Sequence, residues 1–202
     1  MDTRVRVLGV TGPVAGGKSS VSAALAERGA EILELDSIGH RLLAGDEVRK
    51  QVEEEFPEVQ DCSSQEELRS RLGAIVFSDP RRLAALERIL HPRMCDVVRE
   101  RVEALRLEAE EGVLVISGAL LFEMGLDEIC DRVVTVDAPF EVRVRRASQS
   151  RGWTEQEIKR REARQLPAQV KRQRADCVID NSGDHLELQA RVGNIWEEFL
   201  CP

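Results

Sequence analysis

The chain has 202 residues, 42% of them apolar and 33% charged, the balance of an ordinary folded protein and not of a disordered or collagen-like one. That length suits one compact domain with a sizeable core and a smaller inserted lobe, and no apolar run reaches the roughly 18 residues of a membrane span. Asp and Glu number 37 against 29 Lys and Arg, a net charge of −8, which argues against general nucleic-acid binding.

The first residues, MDTRVRVLGV, lead straight into an apolar strand pattern with no secretory or transit signature, so a cytoplasmic chain without membrane association is expected. Five cysteines, Cys62, Cys95, Cys130, Cys177 and Cys201, are widely spaced and form no C-x-x-C pair. Reduced, mostly buried thiols are expected, with neither a disulfide framework nor a zinc site.

In chain order, residues 5–10 (VRVLGV) read as a buried strand, and VSAALAERGA after Lys18-Ser19-Ser20 reads as a helix ending near Gly29. Residues 30–35 (AEILEL) predict a second short strand, with Asp36 at its carboxyl edge opening a helix to Leu43. Residues 46–107 show helical periodicity with expected breaks at Pro57, Pro80 and Pro92, a helical insertion. VLVIS (113–117) and RVVTVD (132–137) are apolar enough to be parallel strands buried on both faces. The stretch from Glu141 to Arg174 holds eleven Lys/Arg and four Asp/Glu, a local +7 on two expected helices, so the rest of the chain carries −15. DCVID (176–180) supplies a fifth strand, and Val192, Ile195, Trp196 and Phe199 share one face of a final helix, a stripe suited to core packing. The expected organisation is a core of 1–45, 108–140 and 175–202, a helical insertion over 46–107 and a basic lid over 141–174. Strands alternating with helices predict an α/β fold around a five-stranded parallel sheet, with ligands beyond the carboxyl ends of the strands.

The strongest local signal is Gly12-Pro13-Val14-Ala15-Gly16-Gly17-Lys18-Ser19, a G-x-x-x-x-G-K-[ST] run between a predicted strand and a predicted helix. Backbone N–H groups and a helix N-terminus there face phosphate oxygens, Lys18 reaches the β and γ phosphates, and the Ser19 hydroxyl suits Mg²⁺. Two GTPase-like patterns fail. Asp36-Ser-Ile-Gly39 follows Lys18 too closely to be a switch, and Asn181-Ser-Gly-Asp184 lacks the lysine that would stack on guanine. Asp36 can orient or deprotonate an acceptor hydroxyl, or cap the following helix, and the two roles are compatible. Arg143, Arg145, Arg146, Arg151, Lys159, Arg160, Arg161 and Arg164 form either a solvated face or a lid over polyphosphate, in which at least one arginine meets phosphate.

Taken together, VTGPVAGGKSSV, LDSIGHRLL, LRSRLGAIVFSDP, LERILHP, ALLFE, RVVTVDAPFEVRVRR and REARQLPAQVKRQRADCVIDNSG resemble, in order and spacing, the dephospho-CoA kinases of coenzyme A biosynthesis. The resemblance covers nearly the whole chain. It implies a P-loop kinase core with a helical acceptor domain and a lid, and ATP- and Mg²⁺-dependent phosphorylation of the ribose 3′-hydroxyl of dephospho-CoA, the final step of that pathway. It also implies Asp36 as catalytic base and Lys18 and Arg146 as catalytic cations. For the nucleotide it implies Gly12 to Ser20, Arg146 and Asn181, with Ser19 for the metal. On the acceptor side it implies Asp36, His40, Arg69, Phe77, His91, Leu121, Phe122, Glu123 and Arg161, although Phe77 and Phe122 equally suit a core and His91 before Pro92 equally suits a structural hydrogen bond. The implied partners are the two small molecules alone, with no nucleic acid or membrane and a monomeric or weakly self-associating chain.

The chain departs from the family pattern at several places. Pro13-Val14-Ala15-Gly16 stands for Gly-Ile-Gly-Ser, which removes one N–H and adds a Cβ at a flexible position. Glu34 replaces the first acid of Asp-Ala-Asp, Ala119 the proline before Leu-Leu-Phe-Glu, and Ser150 the second lid arginine, with Arg151 one step away. Lys18, Ser19, Asp36 and Arg146 are all retained, so an active enzyme is expected. A P-loop kinase for another nucleoside-like acceptor and a non-catalytic nucleotide-binding protein are the competing readings.

Overall fold

The computed structural model describes residues 4–109 and 111–200; Cys201 lies outside the described residues. Five parallel strands, β1 (Arg4–Thr11), β2 (Glu31–Glu34), β3 (Glu111–Ser117), β4 (Arg132–Asp137) and β5 (Cys177–Asp180), form one sheet in the order β2-β3-β1-β4-β5. All five coincide with the predicted strands to within a few residues. Val7, Leu8 and Val10 of β1 and Leu114, Val115 and Ile116 of β3 are fully buried, because a parallel sheet is covered on both faces.

The register lines the strand ends up. Val10 lies opposite Ser117, Glu34 opposite Ser117, Thr11 opposite Thr135 and Asp137 opposite Asp180. The chain leaves central β1 towards β2 and returns through β3 to reach β4 on the other side, so the topological switch point falls at the carboxyl end of β1.

One core cluster joins Leu8, Val10, Val134, Val136 and Ile179 of the sheet to Val21, Ala24 and Leu25 of α1 (Lys18–Ala26) and Leu188, Val192 and Ile195 of α9 (His185–Ile195). Trp196 and Phe199, in the π-helical turn that extends α9, pack against the same cluster, as the predicted stripe requires. Arg28 fastens α1 to α9, donating to the Gln189 side-chain oxygen at 2.9 Å and to its carbonyl at 3.2 Å.

The chain divides into two compact units, Met1–Glu34 with Glu100–Pro202, and Leu35–Arg99. The second is helical: α2 (Leu35–Ala44), α3 (Asp46–Glu55), α4 (Gln65–Ser78) and most of α5 (Pro80–Glu108). Its interior is built from Val48, Val52, Phe56, Leu68 and Leu72, and the Arg82 guanidinium lies 4.5 Å from the Phe56 ring centre.

Two local expectations change. Strand β2 ends at Glu34 and Leu35 already begins α2, so Asp36 sits inside the first helical turn, where a carboxylate interacts favourably with the helix dipole, and not at the N-cap. Pro92 does not break its helix; α5 runs through it for 29 residues. A mid-helix proline costs on the order of 3 kcal/mol, and here Leu86, Leu90, Met94, Cys95 and Val98 form a buried stripe on both sides of it. Arg93 adds a side-chain donor beside the interruption, bonding the Ile89 carbonyl at 2.8 Å.

No helix among the described residues is long and apolar enough to cross a membrane. Cys62, Cys95, Cys130 and Cys177 take part in no disulfide among the described residues, two of them buried and two half-buried. Burial, reinforced by the carboxylates of Asp127, Asp131 and Asp176, pushes the Cys130 thiol up from 9.0 to about 12. Between those values the unfolded chain releases a proton that the folded chain keeps, so stability present below pH 9 is lost as the pH rises through this window. Urea unfolding across the alkaline range therefore shows a falling midpoint, and Cys130→Ala makes that fall shallower; an unchanged slope in the variant removes Cys130 as a contributor.

Candidate active site

Residues 12–17 join the end of β1 to the start of α1. Gly12 has φ +147°, and a Cβ there would lie 2.1 Å from the Val136 carbonyl oxygen of β4. Gly17 has φ +103°, and a Cβ there would lie 1.8 Å from the Asn181 side-chain nitrogen. Both positions need glycine because the loop lies directly on β4 and on the turn after β5. The N–H of Gly16 donates to the Pro13 carbonyl at 3.1 Å, closing a β-turn whose third residue, Ala15, has φ +58°. That is the type II arrangement, which ordinarily takes glycine there, and alanine in the left-handed region costs about 1–2 kcal/mol.

The loop carbonyls are bound by side chains. Val14 O accepts from Arg143 Nη1 at 3.0 Å, Gly16 O from Asn181 Nδ2 at 2.9 Å, and Gly12 O and Pro13 O each from Lys18 Nζ at 3.2 Å. Helix α1 has neither a side-chain cap nor an acid in its first turn, so no carboxylate of its own competes there with an incoming anion. Ser19 and Ser20 are exposed in that turn.

The basic segment forms three helices where two were expected, α6 (Phe140–Arg151), α7 (Glu155–Glu162) and α8 (Ala168–Arg174). Most of its cations are already neutralised. Lys159 pairs with Glu155, Arg160 and Arg161 with Glu157, Arg143 with Glu162, Lys171 with Glu123, Arg172 with Asp137 and Arg174 with Asp127. Arg151 and Arg161 lie over the Trp153 ring, 4.7 and 4.1 Å from its centre, and Ser150 donates to the Arg146 carbonyl at 2.7 Å. Arg146 differs from these ion-paired cations: its Nη1 donates to the Asn181 carbonyl at 2.7 Å. Asn181, buried, thus holds the phosphate loop with its amide and Arg146 with its backbone, so three of the expected nucleotide-side elements converge.

The expected acceptor-side residues divide. Leu121 and Phe122 are buried, with the Arg174 guanidinium 4.4 Å from the centre of the Phe122 ring. Glu123 accepts from Lys171 Nζ at 3.2 Å and from the Leu166 N–H at 2.7 Å. In the helical unit Asp36 and His40 are exposed one turn apart on α2, and Arg69 and Phe77 share a face of α4 with Gly73 between them. A Cβ at Gly73 would touch the Phe77 ring at 3.6 Å. His91 is half-buried within α5.

Lys171 was not singled out by the sequence, where it is one basic residue among many. Its side chain is wholly buried, and its ammonium also donates to the Ala119 carbonyl and to Gln165 Oε1. Burial pushes its pKa down, while Glu123 and then Glu162 hold it up. Lys171→Met leaves the Glu123 carboxylate without its counter-charge and should cost about 3 kcal/mol in urea unfolding. Adding Glu123→Leu should recover part of that loss, so that the double variant costs less than the two single variants together; costs that simply add would show that the pair is not coupled.

Comparison with known proteins gives the family. A family model for dephospho-CoA kinase matches residues 6–187. The dephospho-CoA kinase of Thermobifida fusca is 38% identical over 195 residues, covering 95% of each chain, and that of Deinococcus radiodurans is 42% identical over 193 residues, covering 94% of this chain and 90% of its own. A crystal structure of a Thermus thermophilus protein at 32% identity superposes with a TM-score of 0.80 over 98% of this chain and 99% of that one. Shikimate kinase from Bacteroides thetaiotaomicron, at 15% identity, 95% and 96% coverage and TM-score 0.52, shares the fold alone. The match runs from the first strand to the last helix, and the chain belongs to the dephospho-CoA kinase family of ATP-dependent phosphotransferases.

Proposed function

We propose that this chain transfers the γ-phosphate of ATP to the ribose 3′-hydroxyl of dephospho-CoA, giving CoA and ADP, in the cytoplasm and as the last step of coenzyme A biosynthesis. Family membership supports the reaction, and one observation supports the assignment of the nucleotide side. Asn181 joins the phosphate loop to Arg146, a lid cation that donates to its backbone carbonyl.

In this reading the loop N–H groups and the α1 N-terminus receive the phosphates. Lys18 exchanges the Gly12 and Pro13 carbonyls for β and γ oxygens. Arg146 faces the charge that develops on the γ-phosphoryl group as the bond to the β-phosphate oxygen breaks. Asp36, at the head of α2, takes the proton from the 3′-hydroxyl as its oxygen joins phosphorus. The helical segment over 46–107 carries the acceptor side, His40, Arg69, Phe77, His91, Glu123 and Arg161 are the residues assigned to the acceptor, and 141–174 acts as the lid.

The residues present fit Mg²⁺. Ser19 is exposed beside the loop, and Ser117, at the carboxyl end of β3, has a buried hydroxyl without a hydrogen-bond partner among the described residues. Mg²⁺ bound with nucleotide keeps several waters and needs few protein ligands, so the lack of a His/Cys/Asp/Glu cluster among the described residues is no obstacle. When bound, it neutralises charge on the phosphate oxygens.

ADP release should depend on added dephospho-CoA and yield a product bearing a 3′-phosphate. Asp36→Asn should lower turnover by about 100-fold or more with ATP affinity kept, whereas Lys18→Met should lose ATP. Release driven by nucleosides but not by dephospho-CoA would remove the acceptor assignment, and full turnover in Asp36→Asn would remove the base.

A further inference from the structure

We infer that Arg143 is a positioning residue that sets the phosphate-binding orientation of the Val14–Ala15 peptide and, through Glu162, ties that orientation to α7. The inference rests on the reading of residues 12–19 as the ATP site. The turn Pro13–Gly16 can close the same Gly16-to-Pro13 hydrogen bond in two ways. In the observed form Ala15 sits at φ +58°. In the type I form it sits near about −90°, where alanine is unstrained. The two differ by a flip of the peptide between Val14 and Ala15.

Because a trans peptide points its C=O and N–H in opposite directions, the flip would turn the Val14 oxygen to where the Ala15 N–H now points. A phosphate cradle needs donors there, and a carbonyl oxygen would repel the anion. Alanine by itself favours the flipped form, so another group must hold the observed one.

Arg143 is placed to do so. Its side chain is 8% exposed, its Nη1 donates to Val14 O at 3.0 Å and its Nε to Ala138 O at 3.1 Å, and its guanidinium lies 5.2 Å from the centre of the Phe140 ring. The same Nη1 pairs with Glu162, the last residue of α7. A charged donor in a buried setting makes a stronger bond than a neutral one. The Val14 side chain is meanwhile packed with Ala147 of α6 and Ile158 of α7, which fixes the residue and leaves the direction of its carbonyl to Arg143. Displacing α7 would remove both that packing and the guanidinium's counter-charge.

With glycine at position 15 the observed turn costs nothing, so dependence on Arg143 should fade. The test is the ratio of Mg²⁺-ATP affinities, by calorimetry, between Arg143→Met and its parent, measured with Ala15 and again with Ala15→Gly. With alanine present the methionine variant should lose about tenfold in ATP affinity, the weight of the strain it releases, with a matching rise in the KM for ATP and none in the KM for the acceptor. With glycine present most of that loss should vanish.

Equal losses in the two backgrounds, or no loss with alanine, would overturn the inference and leave Arg143 a structural cation. Arg143→Lys, which keeps the charge facing Glu162 but not the planar fork, gives the same comparison if the methionine variant does not accumulate. Failure of the site assignment itself is separately visible, as Lys18→Met that still binds ATP.

Discussion

A loop that turns its N–H groups towards one anion must turn its carbonyls elsewhere, and each of those carbonyls needs a donor. Much of the nucleotide-side architecture follows from that constraint. Asn181 comes from the turn after β5, Arg143 from α6 and Lys18 from α1, and all three donate to carbonyls of residues 12–16. The strand order supplies the geometry, since β4 and β5 flank β1 on the side from which Asn181 reaches the loop. The glycines at 12 and 17 are the corollary: the loop lies so close to the Val136 carbonyl and the Asn181 amide that a Cβ at either position would collide.

The same constraint decides what the basic segment is for. A local excess of positive charge looks like a phosphate funnel, yet most of its cations are held by carboxylates of the segment itself or of residues 123, 127 and 137. The exposed helical pairs contribute little to stability, but they lower the field available to a ligand. Arg146 instead donates to the Asn181 carbonyl, a dipole that carries no compensating charge. In the reading proposed above, the segment then serves more as a scaffold that places Arg146 than as a diffuse basic surface.

The parts of this design legible in the sequence are those that depend on residue type at short spacing. The phosphate loop, five apolar strand segments and the glycine that ends the first helix near position 29 all announce themselves within a few residues, and the apolar stripe of α9 follows from helical period alone. Pro92 misled because propensity is local while the burial that carries α5 past it is not. Asp36 looked like a cap because a strand and a helix can abut without a linker, which spacing does not reveal. Lys171 was invisible and Arg143 was only one of eight basic candidates, since both residue types are usually exposed and only the tertiary fold buries them against carbonyls. His40, Arg69, Phe77 and His91 came from the family resemblance, and no short-range pattern marks them.

The substitution of alanine for glycine at the third position of the turn shows how a departure from a motif can be absorbed. The motif asks for a backbone conformation, and glycine is the residue that adopts it without help. A chain that uses alanine must stabilise the same conformation from outside, and a buried guanidinium on the peptide oxygen is a donor strong enough to oppose a strain of about 1–2 kcal/mol. The arrangement changes what the loop depends on. A glycine loop holds its shape whatever the lid does, whereas this loop leans on Val14 packing and on a cation whose counter-charge sits at the end of α7. The phosphate-binding form is then most stable when α6 and α7 are seated, so nucleotide binding and lid position draw on one set of interactions.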